Sequence, residues 1–152
     1  MAQHGTTVIE HPNRDKASSR STKAIVVALM LVSAALLAIA TLGGWERLEG
    51  AKSLQIAYVL LYVVIAFYVA RWRSGMLPVV AALAIVLLLF AAISGPQWFD
   101  RDGAGFDDPL LDSSVLGIVT LLLVPLQVLL IVFAAQGFGQ RWGVEYERRA
   151  SA

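Results

Sequence analysis

AIVVALMLVSAALLAIATLGG, residues 24–44, runs for a bilayer's width without one Asp, Glu, Lys, Arg or His. Crossing ~30 Å of hydrocarbon takes about 20 such residues in a helix. Alone, this run has two other readings. One is the buried helix of a soluble domain. The other is a cleaved signal peptide, for which the basic flank and the triplet Ala38, Ile39, Ala40 speak. An h-region spans only about 7–15 residues, so the length favours a retained membrane anchor.

The pattern repeats downstream and settles the class. SLQIAYVLLYVVIAFYVA (53–70), MLPVVAALAIVLLLFAAIS (76–94) and VLGIVTLLLVPLQVLLIVFAA (115–135) are equally free of those five residue types. No soluble fold of this length has an interior for four such helices. The expected fold is therefore an all-α membrane protein, four transmembrane helices in an antiparallel up-down bundle spanning residues 24–142. The links at 45–52 and 71–75 are short, as antiparallel neighbours require. An outer loop at 95–114 and tails at 1–23 and 143–152 complete the chain. The tail at 1–23 is polar, rich in Ser and Thr, and expected to be disordered. The tail at 143–152 is expected to extend the last helix, with Glu145 and Arg149 paired one turn apart.

Composition agrees. The 152 residues are 58% apolar with a net charge of +1, and mean hydropathy is +0.70. Such a charge recruits no nucleic acid, and the absence of cysteine removes disulfide and thiol chemistry. Arginine supplies nine of the twelve basic residues and alanine is abundant, which points weakly to a GC-rich bacterial genome and a plasma-membrane location.

Charge also sets orientation. Arg14, Lys16, Arg20, Lys23, Arg71, Arg73, Arg141, Arg148 and Arg149 fall on one side; Arg47, Lys52 and Arg101 fall on the other. Nine against three puts both termini in the cytoplasm. Trp45, Trp72, Trp98 and Trp142 each follow the end of a span and read as interfacial anchors. WERLEG and WFDRDG on the outer side, and RW twice on the inner, resemble a duplicated hairpin, although the spans themselves do not align.

Within the spans, Pro78 marks a helix start, whereas Pro125 lies mid-span and should kink the fourth helix near Leu121. Tyr58 and Tyr62 share a helix face, and with Gln127 they form a candidate polar pocket. Interhelical packing is the plainer reading of the same residues. Small residues in the first span (Ala24, Ala28, Ser33, Ala34, Ala38) allow close helix approach.

The outer loop concentrates Asp100, Asp102, Asp107, Asp108 and Asp112 against Arg101 alone. DRDGAGFDD has the acids and glycines of a calcium loop, but an EF-hand register fails at Ala104 and Leu111. The first four aspartates thus make a candidate cation or partner loop, or a solvated turn. Gly95 and Pro96 read as the stop of the third helix, and Asp112 as the cap of the fourth.

The spans lack the ionisable side chains that mark proton relays and ion pathways. The two histidines, His4 and His11, both lie in the tail, so no haem ligand is within reach, and no cofactor is expected. No nucleophile–base pair or phosphate loop appears. The expectation is a non-catalytic accessory subunit or scaffold of a membrane assembly, with the lipid bilayer and a membrane-protein partner or further copies of itself as partners. The alternative is a transporter or channel-like protein for a lipid-like or neutral solute.

Overall fold

The computed structural model describes residues 7–45, 48–100 and 110–149. Its elements, in chain order, are strand β1 (Thr7–Glu10), helices α1 (Ala17–Gly43), α2 (Lys52–Ala70), α3 (Leu77–Phe99) and α4 (Ser113–Gly139), and strand β2 (Tyr146–Arg149). All four helices are long and apolar enough to cross a membrane.

Consecutive helices run antiparallel. Lys23 Nζ near the start of α1 donates to the Ala70 carbonyl at the end of α2 (3.3 Å), while Thr41 near the end of α1 meets Gln55 near the start of α2. Helix α4 lies against α1 and α3. Helix α1 also lies against α2, so the packing order is α2, α1, α4, α3. Val26, Met30, Tyr62, Leu77, Val80 and Leu130 are fully enclosed in the shared core.

Glycine permits the closest approach, between α3 and α4. A Cβ built on Gly95 would stand 2.6 Å from Leu121 Cδ2 and 2.8 Å from its Cγ. The second of these atoms cannot swing aside as a side-chain tip can. Gly95→Ala is therefore expected to lower stability by about 1–3 kcal/mol, as overpacking does, read from the unfolding midpoint in bicelles. An unchanged midpoint would show that the two helices separate freely at this point.

The termini depart from expectation. The tail at 1–23, expected to be disordered, carries β1 and the first two turns of α1. Strand β1 pairs antiparallel with β2 in the register Thr7 with Arg149 through Glu10 with Tyr146. The tail's composition hid this because its partner lies some 140 residues away along the chain. Nor does the C-terminal segment extend the last helix. Helix α4 stops at Gly139, Arg141 takes a left-handed φ of 49°, and Glu145 faces His11 at 3.9 Å instead of pairing with Arg149.

Helix α3 also outruns its expected end, passing through Gly95 and Pro96 to Phe99. Proline costs that helix a hydrogen bond. Burial of the next turn offsets it, because Trp98 packs with Leu48 and Leu116 in a small second core. Helix α4 likewise continues through Pro125 as one helix, Ser113–Gly139. Thr120 donates to Leu116 O (2.7 Å) and Gln127 to Ser33, so the polar side chains nearest Pro125 are engaged away from the carbonyl of Leu121.

Candidate functional site

Three polar side chains meet at mid-depth of the bundle. The Tyr62 hydroxyl donates to Gln127 Oε1 at 2.7 Å, and Gln127 Nε2 donates to Ser33 Oγ at 2.9 Å. All three residues are 0% exposed. This neutral clasp joins α2, α4 and α1. The helices dictate it: each residue sits near the middle of its own span, so antiparallel packing brings them to one level. Of the candidate pocket, Tyr62 and Gln127 are brought together. Ser33 completes the set, although in the sequence it reads only as a small packing residue. Matching polar residues by depth along antiparallel spans would have identified it.

Tyr58 belongs to a different feature. Its hydroxyl points to Leu83 O at 3.4 Å, its ring lies 5.9 Å from that of Tyr62, and it lines a partly enclosed cavity of about 400 Å³. The cavity occupies the half of the bundle toward the α1–α2 and α3–α4 links. Its floor is buried (Leu37, Tyr58, Leu87, Leu123), while Leu54 on α2 and Phe90 on α3 stand about half exposed at its rim. It thus opens sideways, between α2 and α3. The clasp lies one turn beyond Tyr58, past the residues that line the cavity.

Gln55, Ser94 and Thr120 add polar atoms to the lining. Ser94 Oγ donates to Phe90 O and Thr120 Oγ1 to Leu116 O, both at 2.7 Å. Thr41 Oγ1 lies 2.6 Å from both Leu37 O and Gln55 Oε1. One hydroxyl proton serves a single acceptor, so both contacts are satisfied when the Gln55 amide turns its Nε2 toward Thr41 and the hydroxyl donates to Leu37.

The opposite end is a built cap. Trp142 Nε1 donates to Gln140 Oε1 (3.0 Å), Gln140 Nε2 to Thr22 Oγ1 (3.0 Å), and Thr22 to Ser18 O (2.9 Å). Arg14 Nε and Asn13 Nδ2 donate to the carbonyls of Trp142 and Arg141. Trp72 meets Trp142 edge to face at 5.3 Å and carries Lys23 Nζ 4.0 Å from its ring centre. Trp72 itself takes a left-handed φ of 65°. Its N–H bonds Val69 O while the Arg73 N–H bonds Tyr68 O, the Schellman termination in which glycine is usual.

The tryptophans therefore divide. Trp45 is exposed, with Lys52 over its ring at 4.7 Å, as an interfacial anchor would be. Trp98 and Trp142 are enclosed by protein, and Trp72 is half-buried against Trp142. Those three are packing residues, because each helix end turns its indole inward onto another chain segment.

Of the acidic loop, Asp100 is exposed at the C-cap of α3; Asp102, Asp107 and Asp108 lie outside the described residues. Asp112 holds the N-cap position of α4 without a side-chain capping bond, though its carbonyl accepts from the Leu116 N–H. Its charge still favours the positive end of the helix. Among the described residues no three His, Asp or Glu side chains are grouped to hold a metal.

No family model, no curated protein and no solved structure matches this chain.

Proposed function

We propose that this chain is a multi-pass protein of the bacterial plasma membrane with both termini cytoplasmic, serving as a non-catalytic accessory subunit or scaffold of a membrane assembly. The observation that carries the reading is the Tyr62–Gln127–Ser33 clasp. At the depth where a pump or carrier holds its ionisable groups, this bundle holds three neutral side chains hydrogen-bonded to one another. Satisfied buried networks rigidify a fold. They offer no proton to move and no charge to bind.

Orientation rests on the basic residues. Asn13 bonded to Arg141 and Lys23 bonded to Ala70 O gather the flanks of both tails and the α2–α3 link at one end of the bundle. That end carries nine of the twelve cations, which supports placing it in the cytoplasm. The strand pair, which exposes Val8, Ile9 and Tyr146 beside its charged residues, forms with its cap a platform there for a soluble or juxtamembrane partner.

Native mass spectrometry of the chain extracted from its own membrane tests the role. A stoichiometric second polypeptide is the expected result; a bare monomer or homo-oligomer overturns it. For orientation, an N-terminal tag should be protected in intact cells, and labelling from outside would reverse the assignment. The alternative, a carrier of a neutral lipid-like solute, is favoured by the lateral cavity. It requires that Tyr62→Phe and Gln127→Leu abolish flux while leaving assembly intact.

A further inference from the structure

We propose that the lateral cavity between α2 and α3 is a binding site for a single-chain neutral lipid ending in a hydroxyl group, taken up sideways from the bilayer. The proposal goes beyond the subunit reading and rests only on its membrane placement.

Four observations carry it. The volume, about 400 Å³, lies within the range of small-molecule sites. The rim is apolar: Leu54 and Phe90, both about half exposed, face what in a membrane is hydrocarbon, so a chain enters without crossing water. The floor residues Leu37, Leu87 and Leu123 are buried and suit methylene groups. Among the described residues no Asp, Glu, Lys, Arg or His lines it, so a carboxylate or phosphate head would find no charged partner among them in a medium that penalises bare charge.

The polar lining selects the head group further. Ser94 and Thr120 spend their protons on carbonyls of their own helices, which leaves lone pairs that accept. Gln55, in the amide orientation that satisfies Thr41, keeps one proton to donate and a carbonyl to accept. A ligand hydroxyl both donates and accepts and so satisfies this mixture. An ester carbonyl accepts only, and leaves the hydroxyl lone pairs unmatched. Counting along the antiparallel helices places Gln55, Ser94 and Thr120 at one level, with Leu37, Tyr58 and Leu123 a turn deeper. The ligand hydroxyl therefore sits at that level, with the first methylenes over the deeper residues and the rest of the chain passing out by Leu54 and Phe90 into the bilayer.

The test uses the full chain in nanodiscs of unbrominated lipid, titrated with 4,5-dibromo-octadecanol, methyl 4,5-dibromo-octadecanoate and 4,5-dibromo-octadecanoic acid. Bromine quenches nearby indole emission, and Trp98 lines the cavity. The alcohol should quench saturably, an effect absent from Trp98→Phe. The ester and the acid should bind at least about tenfold more weakly, a difference of ~1.4 kcal/mol. Ala91→Leu, which fills the cavity from α3, should weaken the alcohol by at least about tenfold. Ser94→Phe plugs the same space from a half-exposed position and serves if the first variant fails to fold. Equal binding of acid and alcohol, or alcohol quenching unaffected by the filling variants, overturns the proposal. Carbonate washing of the source membranes separates the two levels. Chain retained in the membrane but never quenched sinks the cavity site alone; chain released by the wash sinks the membrane placement beneath it.

Discussion

Replacing Trp142 by alanine should destabilise the protein by about 3–5 kcal/mol, the cost of deleting a fully buried large aromatic side chain. Its indole is 0% exposed and joins three parts of the chain. It contacts Trp72 at the end of α2, stands 3.1 Å from the Cβ position of Gly137 on α4, and bonds through Gln140 to Thr22 on α1. Its own carbonyl also holds Arg14. The expected result in bicelles is an early, separate loss of the terminal cap followed by a lowered midpoint for the bundle. Hydrogen exchange at β1 and β2 would report the first step. Were Trp142 only an interfacial anchor, Trp142→Ala would weaken membrane anchoring and leave exchange in the strands unchanged.

The second large effect lies in the clasp. Gln127→Leu removes both hydrogen bonds and leaves the Tyr62 hydroxyl without its acceptor in a site with no solvent access. An orphaned buried polar group costs about 1–3 kcal/mol. Tyr62→Phe alone removes one bond and leaves the Gln127 carbonyl oxygen orphaned. The double variant Tyr62→Phe with Gln127→Leu leaves neither, so its loss should fall short of the sum by about 1 kcal/mol or more. A bundle held by interhelical bonds averaging ~0.6 kcal/mol each would still show this sign. Strict additivity of the two single losses would mean that the bond contributes nothing to holding α2 against α4.

Much of the architecture was legible in the residues. Four runs of the right length without formal charge predict four helices long enough to span a membrane, and four such helices form. The link at 45–52 is too short for anything but antiparallel neighbours, as the Lys23–Ala70 and Thr41–Gln55 contacts between α1 and α2 bear out, whereas across the link at 71–75 α2 and α3 are not neighbours in the packing order. Tyr62 and Gln127 were legible as the polar residues of otherwise apolar faces. Their union with Ser33 was not, since serine in a small-residue stripe carries no mark of having a partner.

Helix ends were the least legible. Gly95 and Pro96 are local stop signals, yet α3 passes through them because Trp98 gains a burial site beneath Gly44, whose missing side chain leaves room for the ring. The polar tail looked structureless by composition, and β1 exists only because β2 is brought alongside it by the bundle. Trp72 occupies a backbone conformation that local preference gives to glycine, held there by its contact with Trp142.

By itself the sequence determined the number, length and hydrophobic character of the helices. Those are local quantities: the cost of burying a peptide group or a charge in an apolar medium is set residue by residue. Only the tertiary structure decided the helix order, the sideways cavity between α2 and α3, the inward turn of Trp98 and Trp142, and the pairing of the two tails. Each of these depends on residues far apart in the chain reaching the same depth or the same end, and no local pattern records which partner will be there.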